Sequence, residues 1–348
     1  MNRSPLFAHH VAAGAALADQ DGCMVPLSHG EAEAGAAGVR AGAGVVDLAH
    51  VQLLTLTSDD ARRWANGMFT NNIKRLQPGR GNRNAMCDDR GRVQGLLDLY
   101  CVGETRFLAV LDGVDADWFE GRYRMFLILD EIEVDPRPDG ATLLSVQGPA
   151  AGAALEAAGL PAPAIDRAFE TTDSGVTVAR RDRTGLGGYD LIVPGDQVAA
   201  VWAALQAGGA TPAGTDVLDA LRIFAGLASW PQDGTDKTMV HELRLNADVC
   251  NFEKGCYVGQ EVINRIDVKG AINKKLMGLR LAAPVPQGSP VMHGDKAVGT
   301  VTSLAEVGGQ VVGLGVLRKA AWAPGTVVEV DTGDGAVAAT VSDLPLSG

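Results

Sequence analysis

The densest group of reactive side chains in the sequence lies in residues 252–261. Lys254 offers a cation, Cys256 a thiol, Tyr257 a phenol and Gln260 an amide, and two glycines make the intervening backbone flexible. An apolar helical pattern follows, and the N-terminus of a helix favours anions and thiolates. We therefore expect a nucleophilic or redox-active thiol at Cys256, with Lys254 as the cation that favours its thiolate. The alternative is the start of a helix that carries a buried, inert cysteine.

The histidines and the other cysteines do not have the spacing of metal ligands. His241, His50 and His293 form no H-x-x-x-H pattern, and surface histidines explain them more simply. No two of the five cysteines form a C-x-x-C pair, and Cys250 and Cys256 are too irregularly spaced for an iron–sulfur site. We predict no metal site. An odd number of cysteines without such pairs favours a reducing compartment.

The charge of the chain argues against nucleic acid and membrane as partners. The sequence has 30 Lys plus Arg against 42 Asp plus Glu, a net charge of −12, which repels a phosphate backbone or an anionic bilayer. We find no signal-peptide pattern, and no apolar run approaches the roughly 20 residues of a spanning helix. The basic residues are nevertheless grouped locally, where they can hold a small anion. These groups are Arg80, Arg83, Arg90 and Arg92; Arg180, Arg181 and Arg183; and Lys269, Lys274 and Lys275.

The elements that position these residues fall into α+β parts and a β part. With 348 residues, 46% hydrophobic and 21% charged, the chain suits two or three globular domains. Residues 44–57 predict one strand, which leads into a helix capped at Ser58, and a similar strand and helix restart at residue 141. From residue 275, short strands between Gly, Pro and Asp turns predict a closing β-barrel. The predicted domains are 1–50 with 140–247, then 51–139, a connector at 248–274, and the barrel at 275–348.

Residues 254–261 read KGCYVGQE and match in full the K-G-C-Y-x-G-Q-E signature of YgfZ-type folate-binding proteins. LRIFAGL at 221–227 and KGAINKKL at 269–276 resemble the segments before and after that signature. Stretches at 45–73, 143–155 and 183–194 resemble glycine cleavage T-proteins. The resemblance implies an α+β fold of the T-protein type. This is a three-domain cloverleaf of two related, ferredoxin-like α+β domains and a small C-terminal β-barrel, with folate in its central opening.

The resemblance also implies tetrahydrofolate as the ligand and suggests its contacts. Asp190 falls where T-proteins have a Glu that pairs with the amino and ring N–H groups of the pterin, through two parallel charge-assisted hydrogen bonds. Arg222 falls at a folate-contacting Arg; the alternative is a solvated arginine on a helix. Tyr257 and Gln260 of the signature complete the predicted contacts. The polyanionic tail of a polyglutamylated folate is expected on the basic residues, first on Lys269, Lys274 and Lys275 and second on Arg180, Arg181 and Arg183.

One position departs from the T-protein pattern. T-proteins read G-x-V-I-D-D-L in this hairpin, and the second Asp activates the folate for transfer. Here residues 91–97 read GRVQGLL, which places Leu96 at the position of that acid. Leu96 cannot carry a proton. Asp98 is expected on the same face of the strand, but about 7 Å away at about 3.3 Å per residue, so we do not assign it the missing role.

KGCYVGQE together with Leu96 predicts a cytoplasmic, tetrahydrofolate-binding protein of YgfZ type that assembles or maintains iron–sulfur enzymes. Its expected partners are folate and iron–sulfur assembly proteins or their client enzymes. The first alternative is a tetrahydrofolate-dependent aminomethyltransferase or demethylase, favoured by the T-protein segments and opposed by the missing acid. The second is a non-catalytic folate-binding module that docks partner proteins.

Overall fold

The structure is a computed structural model that describes residues 2–124, 131–270 and 272–346. The chain divides into two compact units. The first comprises residues 1–67, 72–83 and 96–218, and the second comprises residues 68–71, 84–95 and 219–348. Within the described ranges, no helix has both the length and the apolar character that crossing a membrane requires.

The elements up to residue 213 are strands with short helices between some of them. In chain order they are β1 (Asn2–Arg3), α1 (Phe7–Ala12), β2 (Ala16–Gln20), β3 (Cys23–Ser28), α2 (Ala32–Ala41), β4 (Gly44–Asp47), β5 (Gln52–Thr57), α3 (Ala61–Met68), β6 (Arg80–Cys87), β7 (Val93–Cys101), β8 (Arg106–Asp112), α4 (Ala116–Arg124), β9 (Glu133–Pro136), a 3-10 helix (Pro138–Gly140), β10 (Thr142–Gln147), α5 (Ala151–Ala157), β11 (Phe169–Thr171), β12 (Thr177–Arg180), β13 (Gly188–Val193), α6 (Val198–Ala207) and β14 (Thr211–Ala213).

These strands form three sheets. A small sheet has the order β1-β3-β2, a six-stranded sheet the order β11-β12-β13-β10-β4-β14, and a five-stranded sheet the order β6-β7-β8-β5-β9. Every residue of β10 and β13 is buried. Their apolar side chains, with those of α5 and α6, form one core around Trp202. The same central pairing places two polar residues opposite each other in the interior, Ser145 and Asp190.

Residues 44–57 do not form the single strand that the sequence predicts. β4 pairs with β10 in the six-stranded sheet, whereas β5 pairs with β8 and β9 in the five-stranded sheet. The chain turns between them, where the Asp47 carboxylate accepts a hydrogen bond from the backbone N–H of Ala49 at 2.9 Å. The aliphatic composition continues through this turn because Leu48 and Ala49 are also buried. The composition therefore conceals the break.

The later elements are three helices and a closed barrel. They are α7 (Thr215–Ala225), α8 (Asn246–Val249), α9 (Gln260–Lys269), β15 (Lys274–Leu281), β16 (Pro290–His293), β17 (Lys296–Val307), β18 (Gln310–Arg318), β19 (Val327–Asp331) and β20 (Ala336–Ser342). The last six strands close in the order β15-β18-β17-β16-β19-β20 around an apolar interior. The predicted α+β class with a C-terminal β-barrel is confirmed. The predicted domain boundaries stay a prediction.

Candidate functional site

The KGCYVGQE segment, residues 254–261, lies in the second unit and leads into α9. Cys256 is exposed in the irregular stretch before the helix, and the half-buried Gln260 is the first residue of the helix. Gly259 precedes it with a φ of 82°, and a Cβ there would lie 2.6 Å from the carbonyl oxygen of Asp88. Only glycine suits this positive φ and close approach. The exposure of Cys256 contradicts the alternative of a buried thiol, and the reactivity of Cys256 stays a prediction.

Lys254 is buried, with 7% of its surface exposed. Its Nζ donates to the carbonyl oxygens of Phe69 and Asn71, each at 2.6 Å, and lies 5.0 Å from the centre of the Tyr257 ring. Burial lowers the pKa of Lys254 to about 7. The amine therefore ties the signature segment to residues 69–71, and these contacts hold it in place. A catalytic pairing of Lys254 with Cys256 stays a prediction.

Two buried thiols, Cys87 and Cys250, lie near the buried phenol of Tyr257. Burial raises the pKa of Cys87 well above its usual value and that of Cys250 to about 12, so both stay protonated at neutral pH. Burial also raises the pKa of Tyr257. Its hydroxyl is buried and has no hydrogen-bond partner among the residues that the structure describes. Of the five thiols, that of Cys256 alone is exposed.

Arg222, also in the second unit, sits at the centre of a buried polar network. Its Nε donates to Asp219 at 2.5 Å, its Nη1 to Asp233 at 2.8 Å and to the carbonyl of Leu227 at 3.0 Å, and its Nη2 to Ser303 at 2.8 Å. These contacts fasten α7 to strand β17 of the barrel. The alternative of a solvated helix arginine is wrong. All three guanidinium nitrogens already donate within the protein, and the predicted folate contact of Arg222 stays a prediction.

Asp190 lies in the first unit, on β13, and is fully buried. The hydroxyl of Ser145 donates to its Oδ1 at 2.8 Å. Arg183 donates from Nε to Oδ1 and Oδ2 at 2.9 and 3.0 Å, and from Nη2 to Oδ2 at 2.7 Å. Gln147 holds the loop that carries Arg183, because its side chain accepts the backbone N–H of Arg183 and donates to the carbonyl of Arg181. The carboxylate that we assigned to the pterin thus already accepts hydrogen bonds from two nitrogens of Arg183.

Asp98 lies on β7 in the same unit, paired with two guanidinium groups. The Nε atoms of Arg167 and Arg181 donate to its two oxygens, each at 2.8 Å. Burial would raise the pKa of Asp98, but Arg181 and Arg167 hold it far below its usual value. Asp98 is therefore a permanently ionised structural group. It does not replace the acid missing at Leu96.

Asp112, which the sequence analysis did not single out, is paired in register with Leu96 and so lies on the same face of the sheet. Its oxygens lie 3.3 Å from Arg83, 3.4 Å from Arg183 and 3.9 Å from Arg181. Burial would raise the pKa of Asp112, but Arg183 and the other two guanidinium groups lower it. The sequence of β8 shows no alternation of polar and apolar residues that would single out Asp112, because the strand is buried on both faces.

The two basic groups predicted for the glutamate tail differ in exposure. The buried Arg181 and the partly buried Arg183 form ion pairs with aspartates, and Arg180 donates to the hydroxyl of Tyr189 at 2.8 Å. The prediction of a basic rim is contradicted by the burial of Arg181 and stays a prediction for Arg180 and Arg183. Isolated sequence spacing cannot distinguish a rim from a buried ion-pair cluster. In the other group the side chains reach solvent, fully at Lys269 and Lys274 and partly at Lys275.

The histidines lie in different surroundings. No group of three or more His, Cys, Asp or Glu side chains in the described ranges is arranged to hold a metal ion. His293 is exposed, as predicted, but His241 is buried, with Nε2 3.5 Å from Asp267. The sequence did not predict a separate cluster around Asp47. Its carboxylate accepts hydrogen bonds from Ser4 and, at 2.9 Å, from His10. All three are buried. With Asp47 between the other two, they form a structural contact and not a nucleophile with its base.

Comparisons with known proteins identify relatives of both parts of the chain. Residues 6–254 match the model of the GCVT N-terminal domain, and residues 274–347 match that of the glycine cleavage T-protein C-terminal barrel domain. An aminomethyltransferase of Bordetella petrii is 30% identical, covering 99% of this chain and 96% of its own, and one of Deinococcus deserti is 28% identical with the same coverage. The crystal structure of aminomethyltransferase T of the glycine cleavage system from Bartonella henselae is 23% identical. It superposes with a TM-score of 0.91 over 99% of this chain and 98% of its own. That likeness shows the T-protein type of fold.

These relatives correct the expected function. We predicted an iron–sulfur assembly or maintenance factor from KGCYVGQE and Leu96. The curated relatives that align along 99% of the chain are named aminomethyltransferases instead, including that of Bacillus subtilis at 28% identity. The prediction was wrong because it gave an eight-residue signature more weight than the similarity of the whole chain. Iron–sulfur partners have no support.

Proposed function

Because this chain belongs to the glycine cleavage T-protein family, we propose that it is a tetrahydrofolate-dependent transferase of the aminomethyltransferase type. It would move a one-carbon group from an amine-type donor to tetrahydrofolate. The observation that supports this most is the extent of the similarity, which runs through the α+β part and the barrel and covers 99% of the chain. Five free thiols suit a reducing compartment, and we place the protein in the cytoplasm.

The donors and acceptors of the described residues fit a reduced folate. A pterin carries an amino group and a ring N–H side by side, and the Asp190 carboxylate can accept both while the Ser145 hydroxyl fixes its orientation at 2.8 Å. The contact of Tyr257, in the second unit, with folate stays a prediction. Tetrahydrofolate supplies the amine nitrogens that receive the one-carbon group. The contact of the glutamate tail with Lys269, Lys274 and Lys275, the basic group of the second unit that reaches solvent, stays a prediction.

A non-catalytic folate-binding module is the second candidate, and Leu96 favours it. Leu96 is fully buried and cannot accept a proton, while Asp98, two residues further along β7, and Asp112, opposite Leu96 on β8, are both paired with arginines. The resemblance of KGCYVGQE to YgfZ-type folate-binding proteins favours the same candidate. Both candidates bind folate, and they differ in turnover.

A turnover assay with tetrahydrofolate as the acceptor distinguishes them, with aminomethyl donors whose carbon is already at the oxidation level of formaldehyde and which release ammonia. We expect the wild-type protein to form methylenetetrahydrofolate and Asp190→Asn to lose folate binding. Asp196→Asn, which changes an exposed aspartate of the same unit, should bind normally. Leu96→Asp should increase turnover and Leu96→Asn should not. Folate binding without turnover, in the wild-type protein and in Leu96→Asp alike, would establish the non-catalytic module.

A further inference from the structure

The contact between Arg183 and Asp190 occupies the carboxylate edge that the proposed function needs. Two nitrogens of one guanidinium group, Nε and Nη2, face the two oxygens of Asp190 at 2.7 to 3.0 Å. The Asp190 side chain is 1% exposed and that of Arg183 is 12% exposed, so the arginine is the member of the pair nearer to solvent. A ligand reaches the Asp190 oxygens only if Arg183 leaves them.

A guanidinium group and the edge of a pterin present the same donors. In both, two N–H groups attached to one carbon atom point in parallel, and a carboxylate accepts them as a matched pair. Ser145 already fills one acceptor position on Oδ1. A carboxylate has about four acceptor positions, but its outward edge holds one such fork at a time. Arg183 and a pterin would therefore compete for Asp190.

Asp112 offers Arg183 a second carboxylate without a long movement. Nη1 of Arg183 already lies 3.4 Å from Asp112 while the rest of the group is bound to Asp190. Asp112 retains 16% exposure, and its contacts to Arg83 and Arg181, at 3.3 and 3.9 Å, are longer than strong charged hydrogen bonds. Burial alone would lower the pKa of Arg183, but Asp190 and Asp112 raise it well above its usual value. The arginine therefore stays charged at either carboxylate.

We propose that Arg183 is an internal competitor of the pterin ring for Asp190, and that Asp112 receives Arg183 when the ligand binds. This inference rests on the proposed folate function and adds a determinant of specificity to it. Only a ring that carries both the amino group and the adjacent N–H can replace the fork in full. A ring with an oxo group in place of the amino group has one donor fewer than the guanidinium group that it displaces from Asp190. It should therefore bind more weakly than the pterin.

Calorimetry with tetrahydrofolate at pH 8 tests the competition through Arg183→Gln, which removes the charge and the fork. We expect its Kd to fall about tenfold, because the ligand no longer displaces an ion pair and instead supplies the partner that a buried Asp190 lacks. Asp112→Asn should raise Kd severalfold in the wild-type background and have no effect in the Arg183→Gln background. Weaker binding by Arg183→Gln, or an Asp112→Asn effect that is the same in both backgrounds, overturns the proposal.

Two further measurements keep the test decisive. If Arg183→Gln does not fold, Arg183→Lys is used, because lysine retains the charge but lacks the two parallel N–H groups. The variant also lacks the side-chain Nε–H signal of Arg183, which identifies that signal in the NMR spectrum of the wild-type protein. That signal should shift when tetrahydrofolate is added and should not shift with the analogue that carries a 2-oxo group. An unchanged signal in a protein that binds tetrahydrofolate refutes the role of Arg183 alone. Absence of tetrahydrofolate binding in the wild-type protein and in every folded variant refutes the proposed function instead.

Discussion

Lys254 should make the stability of the protein depend on pH in the alkaline range. Burial lowers its pKa from 10.5 to about 7 in the folded protein, whereas the unfolded chain has the ordinary value. Between these two pH values the unfolded state binds more protons than the folded state, so the free energy of unfolding rises with pH. Below about pH 7 Lys254 is protonated in both states, and the stability gained from a neutral buried amine is lost.

The size of the effect follows from the width of that window. One proton is worth about 1.4 kcal/mol per pH unit, so a shift from 10.5 to about 7 gives at most about 5 kcal/mol. The two carbonyl contacts of Nζ, from Phe69 and Asn71, favour the protonated amine and reduce this value. We therefore expect the free energy of unfolding of the wild-type protein, minus that of Lys254→Met, to rise with pH. The rise should be up to about 1.4 kcal/mol per pH unit between pH 7 and pH 10.

Urea unfolding of both proteins at pH 7, 8, 9 and 10 measures this difference, and taking the difference cancels the titration of groups that both proteins share. Lys269→Met, which removes an exposed lysine, is the matched control and should give a flat difference. NMR titration of the Lys254 Cε atom gives the pKa directly. A midpoint near 10.5, with a flat stability difference, would mean that the carbonyl contacts fully offset the effect of burial and would refute the reasoning.

Three further predictions concern the signature segment and the barrel network. In the native protein at pH 8, a thiol reagent should modify one cysteine, Cys256, because the other four are buried, and Cys256→Ser should remain unmodified; a second reactive thiol would contradict this. Arg222→Ala should lower the free energy of unfolding by about 3 to 5 kcal/mol, since it leaves Asp233 buried without its charged partner, while the exposed control Arg318→Ala should change it by less than about 0.5 kcal/mol in the same urea experiment. Gly259→Ala should lower the melting temperature, because of its positive φ and the 2.6 Å approach to Asp88, whereas Gly255→Ala, with open space around the added Cβ, should not; equal melting temperatures would remove the steric argument.

The parts of the structure that local patterns encode could be predicted from the sequence. The barrel follows from short apolar strands between turn residues, and α9 follows from the apolar spacing after Gln260. The contacts of Lys254 could not be predicted from the sequence because they join residues 185 and 183 positions apart. The ion pairs of Asp98 were hidden for the same reason, since Arg167 and Arg181 follow it by 69 and 83 positions. Pairings of this kind depend on the tertiary fold, and a single sequence carries no signal for them.

The departures from the T-protein pattern at residues 96 and 190 belong to one charge arrangement. Asp190 is one methylene shorter than the Glu found in T-proteins, and Arg183 occupies its edge. Leu96 faces Asp112, the second carboxylate that Arg183 contacts. An aspartate at position 96 would place a further negative charge beside Asp112 and would offer Arg183 a third partner. The leucine therefore leaves Arg183 with two carboxylates, one fully buried and one partly exposed. A residue held between two such sites is the kind of element whose equilibrium a ligand can shift, because only one of the sites is shared with the ligand.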